Sequence, residues 1–131
     1  KIWNASRFII SRAEDKIIDS SLAKQQDPIM KKAQALVSQV NRSLDQYRFD
    51  QAAESIYHFF WHDFCDHYLE ESKEMINNPE TREATLATLF SVLLTTLKLL
   101  HPFMPFVTEE IYQKLPLKDK KDLLIIEDWP R

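Results

Sequence analysis

The chain has 131 residues, 44% hydrophobic and 28% charged, a composition that fits one soluble globular domain with a single sizeable core. It contains no glycine, which excludes a P-loop or dinucleotide fingerprint, and its one cysteine, Cys65, excludes an internal disulfide and a cysteine-rich zinc cluster. The net charge of −3 argues against a broadly basic nucleic-acid binder. Residues 1–50 nevertheless carry +3, residues 51–100 −5 and residues 101–131 −1, so the basic share lies near the N-terminus.

Apolar residues at Ile2, Ala5, Phe8, Ile9, Ala13 and Ile17 predict a first helix reaching about Ile18. A polar connection follows over 19–26, and Asp27 with Pro28 supplies an N-cap and a first helical residue for a second helix ending near Gln46. Asp50 is placed to cap a third helix reaching about Ile76. Its apolar set, which includes Ile56, Phe60, Trp61, Phe64 and Tyr68, is wide enough to touch two neighbours. A break at 77–80 leads into a fourth helix, from about Pro79 to Leu100. That helix is apolar nearly all round from Leu86 onward, as expected of a bundle's centre. It falls short of the roughly 20 apolar residues a bilayer requires, so no membrane partner is expected. His101-Pro102-Phe103-Met104-Pro105 makes a rigid corner into a short fifth helix stopped by Pro116. The charged run from Lys118 to Asp122 reads as a solvated loop, and the remainder as an extended apolar tail. The fold expected is all-α: a bundle of about five helices with a short extended C-terminal tail, with Trp61, Phe64, Leu93 and Leu97 in its core.

Three residue groups invite chemistry. His58 and His62 are four apart, as metal-binding pairs are, but the Glu of a zinc-protease helix is missing, and boundary histidines are the plainer reading. Asp63, Asp66 and Glu70 form an acidic stripe suited to pairing with Arg7, Arg12 or Arg48 on a neighbouring helix. Asn4 and Arg7 are three apart and project to one side of the first helix. An amide and a guanidinium together can read the edges of unstacked bases; an Arg–carboxylate pair holding the helix to the bundle is the alternative.

WNASRF (3–8), YRFDQAAESIYHFFWHDFCDHYLE (47–70), LLHPFMPFVTEEIYQKLP (99–116) and IIEDWP (125–130) together resemble the anticodon-binding domain of class I aminoacyl-tRNA synthetases, with the valyl branch the most similar. The resemblance implies one domain over residues 1–131, excised from a larger, cytoplasmic, monomeric synthetase that joins valine to its tRNA with ATP and magnesium.

 The motifs that hold ATP in that class, HIGH and KMSKS, are absent here, so no catalytic residue, cofactor or metal is assigned to this chain itself. The partners implied are tRNA, namely the valine isoacceptors, and the catalytic domain of the parent chain. By the same resemblance Arg7, Asn4 and Trp3 face the anticodon, and Pro28 and Ile29 at the start of the second helix form the opposite wall. An aromatic residue is usual in the family where Ile29 stands. Lys1, Arg12, Lys31 and Lys32 are the expected phosphate contacts, which position RNA without reading it. An isoleucyl or other class I domain is the nearest alternative, and a helical protein-interaction scaffold or a metal-dependent bundle enzyme the more distant ones.

Overall fold

Residues 86–100 are apolar on nearly every side of a helix, and they occupy the centre of the molecule. The computed structural model describes residues 2–118 and 120–131. Its helices are α1 (Ile2–Arg12), α2 (Pro28–Asp45), α3 (Phe49–His58), a π-helical segment (Phe59–Tyr68), α4 (Leu69–Asn77), α5 (Arg82–Leu100) and α6 (Pro105–Gln113). Short 3-10 turns lie at Ser20–Leu22 and Leu124–Ile126. Because α3, the π segment and α4 follow without a break, the described residues form five helical rods, as the sequence predicts.

The α5 helix packs against α1, α2, α3, α4 and α6. It is long and apolar enough to cross a bilayer, but 61% of that stretch is buried inside the bundle. Its buried threonines satisfy their own hydroxyls: Thr88 donates to the Ala84 carbonyl (2.8 Å) and Thr96 to that of Val92 (2.9 Å). The helix starts at Arg82, three residues later than expected. Asn78 and Thr81 hold the preceding turn, through Glu80 N–H to Asn78 Oδ1 (3.0 Å) and Thr81 Oγ1 to the Met75 carbonyl (2.6 Å).

The rod over 49–77 buries Ile56, Phe60, Phe64, Tyr68, Ser72 and Ile76, every fourth residue. In a straight α-helix four residues advance about 40° beyond a full turn, so such a stripe drifts around the rod. Wider turns, closed by i→i+5 hydrogen bonds, reduce the drift and keep the aromatics facing the core. Phe60 and Phe64 lie 5.5 Å apart, and Phe64 stacks on Tyr68 at 6.4 Å. Trp61 falls off this stripe. It is half-buried and stacks on exposed Tyr57 at 5.1 Å, so it is not the core residue expected, whereas Phe64, Leu93 and Leu97 are.

Helix ends depart from expectation where the backbone turns left-handed. Glu14 and Asp15 adopt φ of 53° and 62°, so α1 stops at Arg12 and leaves Ile17 exposed. Ile18 instead forms a parallel bridge with Leu117. Asp27 caps α2 as expected, accepting from Ile29 N–H at 3.0 Å. The other end of α2 closes with Arg48 N–H to the Ser43 carbonyl (2.8 Å) and Tyr47 at φ 57°. Asp50 does not cap α3: Arg48 occupies the cap position without a side-chain bond, and Asp50 lies in the first turn, where a carboxylate favours the positive end of the helix.

The expected extended tail is a strap with a turn in it. Leu124 is buried, and its N–H donates to Glu109 at 3.0 Å. Glu127 accepts from the Tyr112 hydroxyl and pairs with Lys98 (3.7 Å). Trp129 Nε1 donates to Asn41 Oδ1 (2.6 Å), and Asn41 returns a bond to the Pro130 carbonyl (3.0 Å). The strap thus joins α6, α5 and α2. The preceding charged run is not simply solvated either. Lys120 Nζ donates to the carbonyls of Tyr112 (2.9 Å) and Leu115 (3.2 Å), closing the end of α6.

Two measurements test this packing. Tyr47 holds the left-handed position that glycine favours, so Tyr47→Gly should raise unfolding stability by about 1 kcal/mol in urea melts. Unchanged or lower stability contradicts the assignment of strain there. Burial first, and then a carboxylate (Asp27 for Tyr68, Glu127 for Tyr112), hold both phenols protonated well above their ordinary range. Their contribution is therefore full below about pH 10 and is lost as pH rises beyond it, where only the unfolded chain readily releases these protons. Melts across that range should show a steep alkaline decline in the wild type and a flatter one in the Tyr68→Phe, Tyr112→Phe double variant; equal slopes contradict it.

Candidate functional site

Helix α1 turns Ala5, Ser6 and Ile9 inward, and Ala13 just beyond it is also buried. At 100° per residue, that places Arg7 near the middle of the outward stripe, with Asn4 one turn back and Trp3 at its edge. All three are exposed, Trp3 at 36%. The alternative reading of Arg7, an ion pair holding α1 to the bundle, is not met: among the described residues no carboxylate pairs with it. Ser6, in the same motif, buries its hydroxyl with no hydrogen-bond partner among the described residues.

Contacts along the chain show how α1 and α2 share a neighbour. Helix α1 packs on α5 and α6, and it borders the 49–77 rod in the same direction: Ile2 lines a small apolar pocket with Tyr57, Phe60 and Trp61, and Lys73 Nζ lies 5.4 Å from the Phe8 ring centre. Helix α2 runs the opposite way along that rod: Tyr68 donates to Asp27 (3.4 Å), Lys32 pairs with Asp63 (3.7 Å), and Gln39 donates to Ser55 (3.1 Å). The stretch from Asp63 to Tyr68 thus meets the first turns of α2, while α1 touches the rod near residues 57–61 at Ile2 and near Lys73 at Phe8.

Of the α2 residues expected at this face, Pro28, Lys31 and Lys32 are exposed. Ile29 is not available. It is only 3% exposed and belongs to the core, because the Asp27 cap fixes the start of the helix so that Ile29 joins the buried stripe of Ala33, Leu36 and Val40. Its aliphatic side chain is a packing residue and offers no surface to a base. Arg12 is exposed, with its guanidinium 4.5 Å over the Phe8 ring. Lys1 lies outside the described residues.

The acidic stripe finds other partners than the arginines expected. Asp63 pairs with Lys32, Asp66 with His62 (3.5 Å) and Glu70 with Lys73 (2.9 Å). Lys73 is a basic residue of this face that the sequence reading missed. It stands in the most acidic third of the chain, and only the packing of α1 along the rod brings it beside Phe8. His58 and His62 do lie together, with ring centres 4.7 Å apart, but among the described residues no group of three or more His, Cys, Asp and Glu is arranged to hold a metal ion.

Residues 27–131 match the family described as the anticodon-binding domain of tRNA ligase. The chain belongs to this family. Over nearly its whole length it is also similar to enzymes named valine–tRNA ligase. It is 43% identical to that of Thermotoga maritima over 132 aligned positions and 42% identical to that of Pseudothermotoga lettingae over 134, each covering 99% of this chain. Against the Treponema pallidum enzyme it is 44% identical over 121 positions, covering 88%. The chain spans 13–15% of the length of these relatives. The family match begins at Asp27, whereas the whole-chain similarity also takes in α1 and its exposed Trp3, Asn4 and Arg7.

Proposed function

We propose that this chain is the anticodon-reading module of a valine–tRNA ligase. The observation that carries the reading is the outward stripe of α1, where Arg7 and Asn4 stand exposed one turn apart with no structural ion pair for Arg7. A guanidinium supplies a planar fork of donors and an amide supplies both a donor and an acceptor, which is the chemistry that reads base edges. Trp3 offers a ring for stacking and Pro28 stands at the rim of the opposite flank. Lys31, Lys32 and Arg12, joined by Lys73, hold phosphates, and the Lys32–Asp63 and Lys73–Glu70 ion pairs temper the negative charge of those carboxylates.

In this reading the parent is a cytoplasmic monomer that joins valine to its tRNA, using ATP and magnesium bound outside these 131 residues. Its catalytic domain is the second partner. The apolar corner of Tyr57, Met104 and Phe106 (90% exposed) suits a protein surface better than a polyanion. Selectivity for valine isoacceptors rests on the middle and third anticodon bases, and binding weakens with salt.

The test is low-salt binding to a valine tRNA transcript and to the same transcript with its middle anticodon base changed. Wild type should prefer the valine anticodon, and Arg7→Ala should lose about tenfold in affinity together with that preference. Equal binding of both transcripts by wild type contradicts base reading by this face.

A further inference from the structure

A groove with a volume of about 680 Å³ lies on the other side of the rod from α1, between α2 and α3. It runs from Lys32 to Gln39 on α2, about 10 Å at the helical rise. The Lys32–Asp63 ion pair borders one end, and the Gln39–Ser55 hydrogen bond crosses near the other. Leu36 and Phe59, both buried, give it an apolar floor. Ala35 lines it with only a methyl group, so the space stays open. Exposed Glu54 and His58 stand on its α3 side.

An apolar floor with polar groups along its edges can receive a planar heterocycle. The sign of the charge selects how that ring enters. Glu54 and Asp63 outnumber Lys32, whose charge Asp63 already engages. A phosphate inside would face Glu54 at close range, whereas a carboxylate readily accepts from an exocyclic amino group. The base edge therefore points inward and the phosphate stays outside the groove.

We propose that this groove is a second base-binding site, taking one unstacked nucleobase that carries an exocyclic amino group, with Glu54 as its acceptor. The proposal rests on the tRNA-binding reading above and adds to it a contact separate from the Arg7 face. Neutralising a carboxylate near RNA would ordinarily strengthen binding. Glu54→Met, which keeps the side chain's length but removes its acceptor oxygens, should instead weaken binding of the valine tRNA transcript about tenfold, and Ala35→Trp, which fills the groove from an exposed helical position, should weaken it at least as much. Binding by both variants as tight as wild type, or tighter, overturns the groove while leaving the Arg7 reading standing. If wild type binds no tRNA, the tRNA-binding reading fails first. Cytidine monophosphate then tests the groove alone by NMR. Shifts of the Gln39 and Gln51 side-chain amides, absent in Ala35→Trp and weaker with uridine monophosphate, support the site; no shifts overturn it.

Discussion

Burial at every fourth position along the rod over 49–77 is the constraint on which the other arrangements depend. A stripe of that period fits neither a strand nor a straight α-helix over so many turns. Widening the turns from Phe59 to Tyr68 keeps Phe60, Phe64 and Tyr68 inside the bundle, and the flanks of the rod are left to receive α1 and α2. Tyr68 links this geometry to the start of α2 directly, since its hydroxyl meets the same Asp27 that caps that helix. The central α5 helix, apolar nearly all round, offers a surface to every rod, but it does not by itself determine which faces remain outside.

What remains outside is polar on the α1 and α2 sides and apolar at the corner near Met104 and Phe106. The apolar corner adjoins the start of α1, since Met104 and Ile2 line the same small pocket. The C-terminal strap stiffens the arrangement. Glu127 and Trp129 tie α6, α5 and α2 together through side-chain hydrogen bonds and an ion pair, so the α2 flank is held relative to the rest of the bundle.

The helical class, the number of rods, the central role of α5 and the Asp27 cap were legible in the sequence because each rests on local pattern. The left-handed stop of α1 was not, because without glycine nothing marks Glu14 or Asp15 as turning points, whereas the end of α2 near Gln46 was placed to within one residue. The inward direction of Ile29 was hidden by the family comparison, which suggested a base contact at a position that helical phase gives to the core. Trp61 was misplaced because helical spacing with the usual period includes it in the apolar face, whereas the four-residue stripe excludes it. Long-range pairing was the least legible. The acidic stripe could be seen, but the pairing of Asp63 with Lys32 of α2 follows from how the rods lie beside one another, whereas His62 and Lys73 are partners on the same rod, four and three residues from Asp66 and Glu70.

The most direct test of the account is a chemical-shift map of the protein with the isolated anticodon stem-loop of a valine tRNA at low salt. The account expects the largest changes at Trp3, Asn4 and Arg7, with smaller ones at Lys31, Lys32 and Lys73. Changes confined to the corner around Met104 and Phe106, or to the C-terminal strap, would contradict the assignment of the α1 stripe as the reading face.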